Sequence, residues 1–132
     1  MKNYPGLLIA VLFSTVLFIA CKKEAGPGGL ASIKGKVFAT DVTASGTERD
    51  SNYIGDHRVY ISVSGNSSHF DDVRTSYDGT YKFSSLRKGS YDVWTFGECD
   101  TCVWTQKKVM LTGVEISEKK QEVELPDLRI IL

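Results

Sequence analysis

Cys99-Asp100-Thr101-Cys102 places two nucleophilic side chains three residues apart, the sharpest local spacing in the sequence. Such a pair can exchange disulfides, supply half of a metal site, or close a small ring. Thiol exchange relies on a helix N-terminus inside a βαβ unit to lower the thiolate pKa. Here the motif lies between Phe96 and Trp104, in what reads as a loop joining two strands. A tetrahedral metal takes about four ligands, and the two histidines, His57 and His69, stand at no ligand spacing. The favoured reading is therefore a disulfide, Cys99 to Cys102, stiffening a loop tip in an oxidising compartment. A small envelope thiol–disulfide protein using the same two residues is the alternative function. Asp71, Asp72 and Asp78 carry oxygens of the kind calcium takes, but no D-x-D-x-D-G loop frames them, so they read as solvated charges. Neither G-x-S-x-G nor H-E-x-x-H occurs. The expectation is a protein without catalysis, cofactor or metal.

A second constellation is aromatic. Trp94 and Phe96 fall on the opposite strand parity to Tyr91, Val93 and Thr95, which read as core-facing. That parity puts two large rings on an outer face, near Tyr60 and Trp104. Exposed aromatic patches contact something: a sugar ring, a protein or a second domain. Cover by Leu128–Leu132 or by the Asp41–Asp56 segment is the competing expectation.

The elements that must hold these residues are strands. In Thr75–Val93, Asp78-Gly79 marks a tight turn, because glycine tolerates positive φ. Tyr81 and Phe83 then face inward, Leu86 fills a corner, Lys88-Gly89 turns the chain, and Tyr91 and Val93 resume the inward rhythm. Ile33–Ala39 alternates as a first strand with Ile33, Val37 and Ala39 inward. His57–Val63 forms a second, with Val59, Ile61 and Val63 in and Arg58, Tyr60 and Ser62 out. Phe70–Tyr77 reads as a polar edge strand, where charges discourage further pairing. Asp41–Asp56 reads as a long polar loop, with Tyr53 and Ile54 as a small apolar anchor. Trp104–Leu111 returns, Thr112-Gly113 turns, and alternation in Leu128, Ile130 and Leu132 closes the chain. Short strands, frequent turns and no 3.6-residue periodicity predict an all-β, seven-stranded Greek-key β-sandwich.

The pattern T-x-x-D-G-x-Y-x-F-x-x-L-x-x-G-x-Y-x-V over Thr75–Val93 resembles the core of carboxypeptidase regulatory-like domains, as does I-x-G-x-V at Ile33–Val37. The resemblance covers about Ser32 to Leu125 and implies a prealbumin/transthyretin-like fold. Related transthyretin-like hydrolases end in Y-R-G-S where this chain ends in LRIIL. The resemblance thus implies a scaffold, and scaffolds of this kind host many functions.

The N-terminus reads as an address. Lys2 precedes an apolar run from Gly6 to Ala20, shorter than the ~20 residues of a membrane-spanning helix. Leu17-Phe18-Ile19-Ala20-Cys21 resembles a bacterial lipobox, and that resemblance implies cleavage before Cys21 and lipidation of its thiol. The expected organisation is a lipoprotein signal peptide over 1–20, a lipidated tether over 21–31 containing the glycine-rich Ala25–Gly29, and a β-sandwich over 32–132. The run Cys21-Lys22-Lys23-Glu24 is similar to export signals of surface lipoproteins of the Bacteroidetes type. The whole sequence holds 16 basic and 16 acidic residues and no basic block, so nucleic acid is not an expected partner. The expected protein is anchored in the membrane by lipid, as an outer-membrane lipoprotein facing periplasm or surface. There it binds or spaces an envelope protein or glycan.

Overall fold

The computed structural model describes residues 24–99 and 106–132. The lipobox with Cys21, and also Cys102 and Trp104, lie outside the described residues. The described residues form nine strands: β1 (Pro27–Val42), β2 (Glu48–Tyr53), β3 (Arg58–Val63), β4 (Asp71–Arg74), β5 (Thr80–Leu86), β6 (Gly89–Glu98), β7 (Gln106–Ile116), β8 (Glu122–Glu124) and β9 (Leu128–Ile131). The described residues contain no helix, and their strands form two sheets without barrel closure.

The sixteen-residue β1 is the spine of the larger sheet. Along one edge it pairs antiparallel with β5 and then β2: Val37 donates to the Gly79 carbonyl and accepts from the Ile54 amide. Its even-numbered residues serve the other edge, where β8 and β9 run parallel to it. There Ser32 donates to the Gln121 carbonyl, and the Lys34 and Thr40 carbonyls accept from Leu125 and Leu132. The second sheet has the order β4-β3-β6-β7, antiparallel throughout. Strict alternation in β1 buries Ala31, Ile33, Val37 and Ala39, as the sequence pattern requires. These side chains, with Tyr81, Phe83, Leu86, Leu128 and Ile130, join Val59, Ile61, Tyr91, Val93, Val114 and Ile116 of the other sheet in one core.

Local deviations re-aim particular residues. Ser85 adopts φ 60°, inserting an extra residue so that Leu86, not Ser85, turns inward and is buried. Asp78 and Gly79 make the turn expected of them. Gly79 has φ 78°, and the Asp78 carboxylate accepts from the Thr80 amide at 3.1 Å and the Thr80 hydroxyl at 2.9 Å.

Four expectations need correction. First, the count of seven strands gives way to nine among the described residues: β2 runs through the segment read as a loop over Asp41–Asp56, and the short β8 pairs parallel to β1. Its sequence, ERDSNY, is polar on both faces, so no alternation betrays it; it is held by backbone pairing to β1. Second, Thr112-Gly113 is not a turn. It lies within β7, where the register shifts opposite Tyr91 and Val93, and Gly113 takes φ 68° to absorb the bulge. Third, Ser62 is buried rather than outward, its hydroxyl within 3.5 Å of the Asn66 carbonyl in the turn after β3. Fourth, Ala25–Gly29 is not a free tether. Gly26 is buried and its amide donates to the Tyr91 hydroxyl at 2.8 Å, while that hydroxyl donates to the Arg87 carbonyl at 2.7 Å. β1 begins at Pro27, so the folded unit starts several residues before the expected boundary at Ser32.

On the outer surface of the larger sheet, Glu122 of β8 bridges Lys34 of β1 (2.9 Å) and Lys82 of β5 (2.7 Å). Hydrogen bonds from the Lys82 and Lys34 ammonium groups, and then their charge, hold the Glu122 carboxyl down at about 2. All three side chains are solvated, so the ladder sets register more than stability.

Candidate functional site

The aromatic residues singled out by parity do share a face, the outer surface of the four-stranded sheet. Pairing of β3 with β6 sets Tyr60 directly opposite Trp94, and pairing of β6 with β7 sets Trp94 opposite Met110 and Phe96 opposite Lys108. Tyr60 stacks on Trp94 with centroids 5.9 Å apart and planes at 17°, and meets Phe96 edge-on at 5.8 Å. His69, from the turn before β4, lays its ring against Tyr60 at 4.9 Å and Trp94 at 6.3 Å. The Lys108 ammonium sits 4.0 Å from the Trp94 ring centroid, a cation–π arrangement.

These contacts bear on the cover of the two rings, which parity leaves open. Trp94 is only 5% exposed although it points away from the core. Its cover includes Tyr60, His69 and Lys108, contributed by the same sheet and the adjoining turn. Strand parity gives the direction of a side chain but not whether same-face neighbours bury it. The half-buried Tyr60 and Phe96 and the exposed His69, Lys108 and Met110 form the solvent-facing part. Arg58 and Asp72 flank it as an ion pair at 3.5 Å. His69 and Lys108 escaped the sequence reading because each lies in a polar stretch; the register fixing Lys108 opposite Phe96 is the signal that could have found it.

Both ends of the face are braced. At one end the half-buried His57 ring places Nε2 3.0 Å from the Phe96 carbonyl. Burial pushes its pKa below the usual imidazole value, against the opposing pull of that carbonyl. The neutral ring can donate there. At the other end, Asp92 (9% exposed) accepts from the Ser64 hydroxyl at 2.7 Å, the Gly113 amide at 3.0 Å and the Gly65 amide at 3.4 Å. Burial alone would raise the Asp92 pKa, but these hydrogen bonds and the Lys108 charge outweigh it and hold the carboxyl below 3.8. Asp92 therefore clamps the turn after β3 to the bulge of β7. Asp92→Ala should cost about 2 kcal/mol, because it strands donors at partly buried positions. Because the folded pKa is depressed, this contribution is complete above the unfolded aspartate value near 4 and is lost as pH falls through the folded value. Denaturant midpoints measured between pH 7 and pH 3 should fall less steeply for Asp92→Asn than for wild type.

The other candidates do not gather. Asp78 caps its own turn, Asp72 pairs with Arg58, and Asp71 accepts from the Asp72 amide. Among the described residues, no group of three or more His, Cys, Asp or Glu side chains is placed to hold a metal. Cys99 is half-buried just past the end of β6; Cys102 lies outside the described residues, and the pairing of the two remains a proposal. A smaller cluster decorates the opposite sheet. Tyr53 meets Phe38 edge-on at 5.2 Å, donates to Asp127 at 3.0 Å and carries the Lys36 ammonium 4.7 Å from its ring centroid. Ile54 packs against the core, so the expected anchor forms.

No protein-family model and no curated protein matches the sequence. Among solved structures, the chain is similar to one from Pseudomonas aeruginosa described as a "putative carbohydrate binding protein". The identity is 15% and the TM-score 0.43, over 96% of this chain and 99% of that one.

Proposed function

We propose that this chain is a lipid-anchored, non-catalytic β-sandwich of the transthyretin-like, Greek-key kind that binds a glycan at the bacterial cell envelope. The observation that supports it is the row Tyr60–Trp94–Phe96 on an outer sheet face, with His69, Lys108 and Arg58 around it. Rings of this kind present an apolar body that sugar C–H faces can stack on, while the flanking polar heads reach hydroxyl groups. Burial of Trp94 beneath Tyr60 and Lys108 stiffens the platform, so little side-chain entropy is lost when a ligand settles on it. The lipobox-like stretch ending at Cys21 supports the anchor.

Two measurements test this reading. A clickable palmitate analogue should label the wild-type protein in cells and not Cys21→Ser; an unlabelled wild type removes the anchor. On an array of envelope polysaccharides, the purified protein should be retained by at least one. Tyr60→Ala, which removes a half-buried ring, should weaken that retention about tenfold with only a small loss of thermal stability. No retention, or retention indifferent to both Tyr60→Ala and Lys108→Ala, defeats glycan binding at this face.

A further inference from the structure

At the pole where residues 24–26 enter the fold, a pocket of about 430 Å³ is lined by Gly28, Leu30, Leu86, Arg87, Lys88 and Lys119. Among the described cations outside this pole, all but Lys107 are engaged. Arg49, Arg58 and Arg74 are paired with Asp41, Asp72 and Asp56, while Lys34 and Lys82 share Glu122. Lys36, Lys108 and Arg129 lie over aromatic rings. Arg87, Lys88, Lys119 and the adjacent Lys120 have no such ion pair or ring among the described residues.

Arg87 is also held in place. Its guanidinium rests on Gly28, where a Cβ would come within 3.0 Å of Nη2, so the glycine makes room for the cation. The Arg87 Nε is buried and finds no acceptor among the described residues, although a buried guanidinium donor normally has one. Beside these charges stands Leu30, 59% exposed. A guanidinium fixed in place, two solvated ammonium groups and a projecting leucine suit a phosphate with an apolar layer beneath it.

The chain leads to the same place. Gly26 accepts from the Arg87 amide at 2.9 Å, and Ala25 lies against Gly89, so the N-terminal segment leaves from the rim of this pocket. Cys21 precedes Glu24 by three residues, at most about 11 Å of chain. Lys22 and Lys23 lie between them in the sequence. Of the acidic residues close in sequence, Glu122 is engaged by Lys34 and Lys82 and Asp92 by Ser64, Gly65 and Gly113, which leaves Glu24 and Glu118 as the nearest against four unpaired cations.

We propose that this pole is a docking site for the phosphates of an anionic phospholipid surface, with Arg87, Lys88 and Lys119 as the headgroup contacts and Leu30 seated in the interface. It rests on the lipid-anchored reading for how the pole reaches the bilayer. The consequence is a fixed posture: the basic pole faces the lipid, and the Glu98 end of β6 faces away from it.

The test is amine acylation of the purified full-length protein on vesicles, read residue by residue by peptide mass. Each basic residue held at an anionic surface strengthens association about fivefold. Labelling of Lys88 and Lys119 should therefore fall at least about fivefold on phosphatidylcholine vesicles containing about a third phosphatidylglycerol, relative to pure phosphatidylcholine. Labelling of Lys107, exposed at the far end of β7, should not change. In the Lys88→Glu/Lys119→Glu variant, the phosphatidylglycerol-dependent protection of Leu30 and Arg87 amides from hydrogen exchange should vanish. Equal labelling on both vesicle types overturns the proposal. Protection by inorganic phosphate alone overturns it as well, by assigning the pocket to a soluble anion. Intact mass of the same preparation reports acylation separately. An unacylated protein defeats the anchor, while the labelling ratio on added vesicles still decides the docking.

Discussion

Phe83→Ala should destabilise the fold by about 3–5 kcal/mol, whereas Phe38→Ala should cost about 1 kcal/mol. Both residues lie on strands of the larger sheet, but on opposite faces of it. Phe83 is 1% exposed; it pairs with Ile33 across the β1–β5 ladder and packs beside Tyr81, ring centroids 6.0 Å apart. Removing its ring empties a site enclosed by both sheets, and the loss includes transfer of the side chain and the cavity left behind. Phe38 points outward, half-buried, with Tyr53 edge-on at 5.2 Å and the Arg129 guanidinium 5.1 Å from its centroid. What it loses is one aromatic pair and one cation–π contact at a solvated surface. In urea titrations the two variants should separate clearly in midpoint with the slope unchanged. Since domains of this size are stable by only about 5–15 kcal/mol, the Phe83 variant should approach the limit of folding. Equal losses would place the two residues on the same face and sink the register of β1 against β5.

That contrast shows what strand periodicity can carry. Where one face is dry and the other wet, as in β1, β3 and β5, the inward residues Ile33, Val37, Val59, Ile61, Tyr81 and Phe83 are legible from alternation alone. β2 has no dry face, so ERDSNY offers no pattern, and only pairing with β1 makes it a strand. Asp92 falls on an outward position, yet the amides of Gly65 and Gly113 draw it into a closed network that spans three strands. No local signal encodes such a network. The N-terminal Ala25–Gly29 misleads for a related reason. Glycines usually mark a pliable linker, but here Gly29 lies against the Leu86 carbonyl where a Cβ has no room, and Gly26 is pinned by Tyr91 from sixty-five residues away. At the aromatic face, parity correctly sets Trp94 and Phe96 outward beside Tyr60. The burial of Trp94 depends on His69 and Lys108, which register and turn geometry bring in and which periodicity cannot see.

Gly35→Ala should cost about 3 kcal/mol, a large penalty for adding one methyl group. Gly35 sits in the middle of β1, directly opposite Tyr81 of β5, and its φ is not in the left-handed region. Backbone freedom is therefore not the reason for glycine at this position. The reason is space: a Cβ on residue 35 would lie 2.5 Å from the Tyr81 hydroxyl oxygen and 2.7 Å from Cζ. Tyr81 lays its ring across the glycine, filling on the core side the volume that a side chain from β1 would otherwise occupy. The ring cannot swing away easily, because Tyr81 is 1% exposed and Phe83 packs beside it. Its hydroxyl is buried without a hydrogen-bond partner among the described residues. Burial, and then the charge of Asp127, push its pKa well above the ordinary phenol value. Removing that hydroxyl relieves an unsatisfied donor, so Tyr81→Phe should be neutral or stabilising by about 1 kcal/mol. The two changes should couple. In the Gly35→Ala/Tyr81→Phe variant the closest clash is gone while the ring carbon remains, so the double variant should recover part of the loss, with a coupling of at least about 0.5 kcal/mol. Thermal and urea denaturation of the four proteins would measure it. Strict additivity, or a Gly35→Ala variant as stable as wild type, would mean that Tyr81 does not rest on Gly35.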